Sequence, residues 1–387
     1  MVPVPAAEDA SEVIPLQQQV ARLQALLEVS RQVHATVEAD EVLRKVLQIV
    51  VRELEMEGAL FVEPRMTYGD VPPEPWDGCA RFQLNDKDGK LLTELIVSPG
   101  PAMELGFYEQ DFLEGLALQA SVALENAHFH KRNLEWARVQ YDLDAARNIQ
   151  RSLLPQTMPD IPGYCVAARS SACYEVGGDY LDIFQTATGE QFLVVADVAG
   201  KGLASAIIST AFRSAFRAMV QSGIELAEVA ARLGQQHWLE GPETRRRYVT
   251  AIFLKLDPKG HTAQAVNAGH TPGFLVHADG TRHLINASGP PLGLLPGMTY
   301  SAETIEFQPG SRLLFYTDGM TEVFRDDEEF GEDRLLDLVA TPAVPSSTAM
   351  LDLIWTSLNE FSSGGHQHDD MTALALHRKP ANQEEPA

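Results

Sequence analysis

Cysteine is almost missing from this 387-residue chain: it has three, Cys79, Cys165 and Cys173. An odd number without any CxxC pair argues against a disulfide framework and against a structural zinc site. Cys165 and Cys173 are the pair that could bridge; free thiols in a reducing compartment are the plainer reading. No apolar run reaches the ~18 residues of a membrane-spanning helix. The opening MVPVPAAEDASEV has neither a basic start nor an apolar stretch of the signal-peptide kind. A cytoplasmic protein with no membrane partner is the expectation. Positive charge is scarce as well. There are 30 Lys and Arg against 54 Asp and Glu, for a formal net charge of -24. Nucleic acid wants a basic footprint, so it drops out as a partner, and anionic membrane surfaces are disfavoured. What is plentiful is apolar material, 45% of the chain, which excludes wholesale disorder. A chain of this length can bury a sizeable core and predicts two or more domains.

Periodicity divides the chain. Leu16, Val20, Leu23, Leu26, Leu27, Val29, Val33 and Val37 predict an amphipathic helix over Ser11–Val37. Asp40–Glu55 predicts a second helix, with Asp40 as its N-cap. Short strands follow at Ala59–Val62, Cys79–Leu84 and Leu91–Val97, then a helix over Phe107–Phe129. The run Glu125–Leu154 lacks Gly and Pro and is too polar for a core helix. At about 1.5 Å per residue it predicts a stalk of roughly 45 Å, or a coiled coil across a dimer. Pro155 and Pro159 end it. From Tyr164 onward strand patterns dominate, interrupted by helices at Leu203–Ser222, Leu226–Leu239, Gly331–Val339 and Ser347–Phe361. Grouped helices among many strands predict an α+β sandwich over 160–380 rather than a doubly wound sheet.

The chemistry concentrates in four acidic places of this second region. Asp179 lies in EVGGDYLD, Asp197 in VVADVAGKG, Asp318 in LLFYTDGMTE, and Asp369–Asp370 in GHQHDDMTALAL. Each stands at a strand end or in a glycine turn, where a rigid sheet can hold a ligand still. Any one of them alone reads as a solvated turn residue. Together, clustered carboxylates repel, and a divalent cation relieves both repulsion and desolvation. Hard oxygen ligands suit Mg²⁺ or Mn²⁺ over Zn²⁺. Two cations sharing a carboxylate can activate water against phosphorus. Other motifs are weaker. The YLD after GGD lacks the acidic pair of a nucleotidyl-cyclase hairpin. GKG at 200–202 lacks P-loop spacing. HQH at 366–368 reads as a solvated loop, and RRR at 245–247 as a surface cluster or a steering site for an anionic partner.

Several longer strings then bear a family likeness: VGGDYLDIF, FLVVADVAGKGLASAIISTAFRSAFRA, YVTAIFLKLDPKGHTAQAVNAGHTPGFLV, GPPLGLLPG, LLFYTDGMTEVF, EEFGEDRLLDLV and DDMTALAL. In order and spacing, over roughly 150–380, they resemble the bacterial PPM or PP2C-like serine/threonine phosphatases, in the branch controlling stress and sporulation sigma factors. The resemblance implies an αββα sandwich with two Mn²⁺ or Mg²⁺ ions at one end. Asp197 would bridge both ions, the Asp179 carboxylate and Val198 carbonyl would serve one, and Asp318 and Asp369 the other. Asp369 is preferred to Asp370 because it opens the family's D-D/N-x-T motif; Asp370 would orient a water or cap a turn. The implied substrate is a phosphorylated anti-sigma-factor antagonist. Departures are Ala172–Cys173 for a common Pro-Ala and Ala199 for Ser. No equivalent is found of the arginine that holds phosphate in eukaryotic relatives, so grip falls to the metals and the partner surface. NAGH at 267–270 reads as structural. Residues 11–130 resemble a GAF-type regulatory domain, followed by a helical linker at 125–155. Homodimerisation, an upstream activator protein and a switch acting through the linker are the corresponding expectations. The competing readings are an interaction module that kept the fold without catalysis and a nucleotide-handling metal hydrolase.

Overall fold

The computed structural model describes residues 24, 27–100, 105–342 and 344–380. The chain divides into two compact units, Met1–Gln140 and Tyr141–Ala387. In the first, helix α1 spans Ala39–Glu53 and buries Val42, Leu43, Val46, Leu47, Ile49 and Val50, a three- and four-residue spacing that makes one apolar face. Its N-cap is Glu38, one of two departures from expectation here. Asp40 lies inside the first turn beside Glu41, where negative charge complements the helix dipole. Of the expected Ser11–Val37 helix, residues 27–33 are helical and most of the rest lies outside the described residues.

Strands β1 (Gly58–Phe61), β2 (Met66–Gly69), β3 (Ala80–Asn85) and β4 (Leu91–Ser98) form an antiparallel sheet in the order β2-β1-β4-β3. β2 escaped the sequence reading because its four residues alternate half-buried and exposed and carry no apolar run. The second departure is helix α2, which runs without a break from Phe107 to Leu153 over 47 residues. The expected boundary near 125 does not exist, and no separate stalk element is present. Leu113, Leu116, Ala117, Ala120, Ala123 and Leu124 of α2 are buried in the core of the first unit.

The second unit contains two five-stranded antiparallel sheets. One is built from β5 (Tyr164–Ser171), β10 (Gly273–Val276), β11 (Arg282–Ile285), β13 (Arg312–Tyr316) and β16 (Met371–Arg378), in the order β11-β10-β13-β16-β5. The other takes β6 (Tyr180–Gln185), β7 (Gln191–Val198), β8 (Val249–Asp257), β9 (Thr262–Ala268) and β12 (Glu303–Glu306), in the order β12-β9-β8-β7-β6. A small β14–β15 hairpin (Phe324–Arg325, Glu328–Glu329) lies apart from both. Alternation along the strands explains the layering. Leu181, Ile183, Leu193, Val195, Ile252, Leu254, Leu313, Phe315, Leu374 and Leu376 point between the sheets.

The opposite faces are covered by helices. Helices α3 (Leu203–Val220) and α4 (Leu226–Leu239) cover the second sheet; Phe212 and Phe216 meet Phe192, Val194 and Phe253 there. A four-residue helix α5 (Pro242–Arg245) follows α4. Helices α6 (Gly331–Val339) and α7 (Ser347–Ser362) cover the first sheet; Leu335, Met350, Ile354 and Trp355 pack on Phe274, Leu314 and Tyr316. Burying one such large side chain contributes about 1.5–3 kcal/mol, so these layers dominate the stability of the unit. The unit is thus a four-layer αββα sandwich. Among the described residues no helix is long and apolar enough to cross a membrane.

Candidate metal centre

Asp179 ends a loop and immediately precedes β6, and Asp197 is the penultimate residue of β7. These strands pair so that Tyr180 faces Ala196, which brings the two aspartates to the same edge of the sheet. Asp318 opens a single 3₁₀ turn after β13, and Asp369 and Asp370 lie just before β16. β13 and β16 are paired, Tyr316 facing Ala373, so the end of the first sheet delivers its acids next to one another.

Close approach is visible at two glycines. A Cβ on Gly178 would lie 2.9 Å from the Val198 carbonyl oxygen and 3.4 Å from Asp197 Oδ1. A Cβ on Gly319 would lie 3.2 Å from Asp369 Cβ. Side chains at these positions would push apart the groups that the fold brings together.

Electrostatics records the crowding. Asp179 is buried; desolvation, then the charges of Asp197 and Asp370, push its carboxyl well above the usual carboxylate range. Burial, then Asp318, Asp369 and Asp370, raise Asp197 to about 7. Asp318 is raised by burial and by Asp369. A carboxylate surrounded by carboxylates in a low-dielectric setting holds its proton unless a cation takes its place. Among the described residues, however, no three acidic, histidine or cysteine side chains converge closely enough to hold one ion as they stand.

Asp370 has a different occupation from its neighbour. Its Oδ1 accepts the Cys173 N–H at 2.8 Å, and its Oδ2 accepts the Gly178 N–H at 2.7 Å. It pins the segment before β6 rather than facing the other acids with free oxygens. Asp369 instead meets the Lys201 ammonium at 2.9 Å.

Sequence reading missed several residues of this site. Thr317 Oγ1 donates to Asp179 Oδ2 at 2.8 Å and accepts the Thr372 N–H at 3.0 Å, linking three of the acidic segments. Its place beside Asp318 in YTDG was the available signal. Glu322, one turn beyond Asp318, is raised by burial and then by Asp318 and Asp369. Asp182 is fully buried and takes Arg217 Nε and Nη2 at 2.6 and 2.8 Å, with the Tyr180 hydroxyl donating at 2.6 Å. NAGH carries the end of β9 into a turn: Asn267 Oδ1 accepts the His270 N–H, and its Nδ2 donates to the carbonyls of Thr271 and Ile285. His270 Nδ1 lies 2.8 Å from Thr250 Oγ1, and burial lowers its ring to about 4.

Comparison with known proteins bears on the fold of the second unit. Residues 187–379 match the family model described as Stage II sporulation protein E (SpoIIE). The chain is 27% identical over 263 residues to Protein IcfG of Synechocystis sp., covering 61% of this chain and 41% of that protein. It is 28% identical over 231 residues to Phosphoserine phosphatase RsbP of Bacillus subtilis, covering 59% and 56%. Phosphoserine phosphatase RsbU of the same organism is 24% identical over 291 residues, covering 75% and 84%. In structure, the SiaA-PP2C domain of Pseudomonas aeruginosa superposes with a TM-score of 0.55 over 63% of this chain and 98% of that domain, at 19% identity.

The C-terminal unit has a PP2C-like fold and is similar in sequence to the SpoIIE family model and to the phosphoserine phosphatases RsbP and RsbU. The chain spans about half the length of the first curated relatives it matches, 41% of one and 56% of the other. The SpoIIE match lies wholly within the second unit, and these likenesses give the first unit no GAF assignment.

Proposed function

We propose that the protein is a divalent-metal-dependent protein serine/threonine phosphatase whose site is the acidic end of the αββα sandwich. The observation that carries this reading is the gathering of Asp179, Asp197, Asp318 and Asp369 at one end of the sandwich, where burial first and neighbouring carboxylates second push Asp179, Asp197 and Asp318 above the usual carboxylate range. Such a set is suited to cations in charge and in ligand type, since all its donors are hard oxygens. Asp179, Asp197, Asp318, Asp369 and the Val198 carbonyl would hold Mn²⁺ or Mg²⁺ ions. The ions, when bound, supply Lewis acidity and an activated water for in-line displacement at phosphorus.

The remaining residues arrange this set. Asp370 and Thr317 fix the backbone and carboxyl of the Asp179 segment. Gly178 leaves the Val198 carbonyl uncovered. No cysteine nucleophile is required; burial raises the Cys173 thiol and keeps it protonated.

The names of RsbP and RsbU as phosphoserine phosphatases support phosphoserine as the substrate side chain here. The protein substrate in this reading is a phosphorylated anti-sigma-factor antagonist in a cytoplasmic stress-signalling pathway. The N-terminal unit, GAF-like in this proposal, dimerises and answers to an upstream activator protein. The test is Mn²⁺-dependent phosphate release from a phosphoseryl antagonist by wild type and Asp197→Asn. Loss of release in the variant supports the reading; equal rates end it.

A further inference from the structure

A carboxylate-lined site in a chain of net charge -24 has to attract a phosphoryl dianion, which makes the cations around it informative. Two meet at one loop, the DVAGKG turn between β7 and α3, and the first, Lys201, belongs to it. Lys201 Nζ lies 2.9 Å from Asp369 Oδ2 and also donates to the His368 carbonyl. Its side chain is 44% exposed, so the ammonium borders solvent while touching the acidic cluster.

The second cation comes from the segment just before the neighbouring strand β8. β7 and β8 pair with Asp197 facing Thr250 and Val198 facing Val249. The Ala199 N–H then donates to the Tyr248 carbonyl at 2.9 Å, extending the ladder by one residue. The next position sets Arg247 against Gly200. Its guanidinium Nη1 fills the space that a Cβ on Gly200 would need. Gly200 has φ +97°, a conformation suited to glycine, so the loop admits the guanidinium three residues from Asp197.

The three arginines of the RRR run are not equivalent. Arg245 stacks on Trp238 at 4.2 Å and donates to the Trp238 carbonyl. Arg246 pairs with Glu243 at 3.3 Å in the open. For Arg247 no acidic partner is found among the described residues. A half-buried guanidinium without an acidic partner, lying against the loop that carries Asp197 and Lys201, is placed for an incoming anion, and its planar fork matches two phosphate oxygens.

We propose that Lys201 and Arg247 form a phosphoryl clamp on the rim of the acidic end, taking the dianionic phosphate of a phosphorylated serine or threonine side chain. The clamp rests on the phosphatase reading above. It gives the chain a phosphate grip of its own, which the sequence had assigned to the metals and the partner surface alone. Lys201 is held by one carboxylate and one carbonyl on a flexible stem, so it can turn to the anion when Asp369 is otherwise engaged.

The experiment is calorimetric titration of inorganic phosphate into the full-length protein in Mn²⁺, with Mn²⁺ binding measured separately by electron paramagnetic resonance. Wild type is compared with Lys201→Gln, Arg247→Gln, Arg247→Lys and the neighbouring control Arg246→Gln. The clamp predicts phosphate affinity about tenfold weaker in Lys201→Gln and Arg247→Gln, as for loss of one charge-assisted contact. Arg247→Lys should fall between, and Arg246→Gln should match wild type. Mn²⁺ binding should persist in every variant. Phosphate affinities within twofold of wild type in both Gln variants, with Mn²⁺ bound, overturn the clamp and leave the phosphatase reading standing. A wild type that binds no Mn²⁺ overturns both.

Discussion

Replacing Asp182 by Asn removes one charge from the most enclosed ion pair near the site. The carboxylate is fully buried and receives Arg217 Nε at 2.6 Å, Arg217 Nη2 at 2.8 Å, the Tyr180 hydroxyl at 2.6 Å and the Ile183 N–H at 2.9 Å, with Arg213 at 3.9 Å. Asn keeps the shape but sets an NH₂ against one of the donors. Breaking a buried pair from one side costs about 3–5 kcal/mol. The Arg217 side chain is 37% exposed and can rehydrate, which places Asp182→Asn at the lower end, about 3 kcal/mol. Arg217→Met leaves the enclosed carboxylate behind with only Tyr180, Ile183 and a distant Arg213, and should cost more, about 4 kcal/mol. For a unit of this size, about 3 kcal/mol corresponds to a melting shift of roughly 6–12 °C. Thermal unfolding of full-length variants by near-ultraviolet circular dichroism, with the double variant to close the cycle, measures both. A loss under about 1 kcal/mol in Asp182→Asn, or the reverse order of the two costs, refutes the reasoning.

Two further outcomes follow from the acidic end. Asp179, Asp197, Asp318 and Asp370 all have folded-state ranges raised above their unfolded ones, Asp197 to about 7. Such groups favour the native state while protonated, so metal-free stability should fall as pH rises from about 4 through 7. His270, lowered to about 4, and His377, lowered by burial, work against this by losing stability as pH falls below 6.5, but with Glu322 also raised they are two groups against five. Denaturant melts across this window should show that fall in EDTA and a flattened profile in saturating Mn²⁺; equal profiles contradict the site. Separately, Gly178→Ala puts a methyl 2.9 Å from the Val198 carbonyl and 3.4 Å from Asp197 Oδ1. Mn²⁺ affinity measured by paramagnetic resonance should drop about tenfold, with the melting temperature changed by only a few degrees. An unaltered affinity would remove the Val198 carbonyl from the ligand set.

The αββα layering was readable because its strands are long and strongly apolar on one or both faces. Gln191–Val198 buries all but Asp197, and Val249–Asp257 buries six of its nine residues, so even a coarse reading locates them. Leu226–Leu239 and Gly331–Val339 came out to the residue, since a loop or glycine marks each end. Met66–Gly69 was invisible because a half-exposed edge strand has no period to detect. The continuous helix Phe107–Leu153 was split in reading because burial stops near Ala127 while helical propensity does not. That Asp179, Asp197, Asp318 and Asp369 stand at strand ends on one end of the sandwich was legible from the glycine turns around them. Lys201 and Thr317 were not, although both adjoin the motifs, because their partners lie on other strands. Arg247 was hidden within a triplet whose members look identical until the register of β7 and β8 separates them.

Asp370 has a consequence for when the site comes into being. It grips the backbone at Cys173 and Gly178, positions 197 and 192 residues earlier in the chain. The strand it introduces, Met371–Arg378, is inserted between β13 and β5 rather than added at an edge. Until that stretch has been synthesised and has entered the sheet, the segment bearing Asp179 lacks its anchor, and the first sheet lacks an interior strand. Contacts spanning so much chain close late and slowly. On the ribosome, the acidic end should therefore stay unassembled while β6 and β7 are already made, so that a nascent or truncated chain ending before residue 370 is silent by construction.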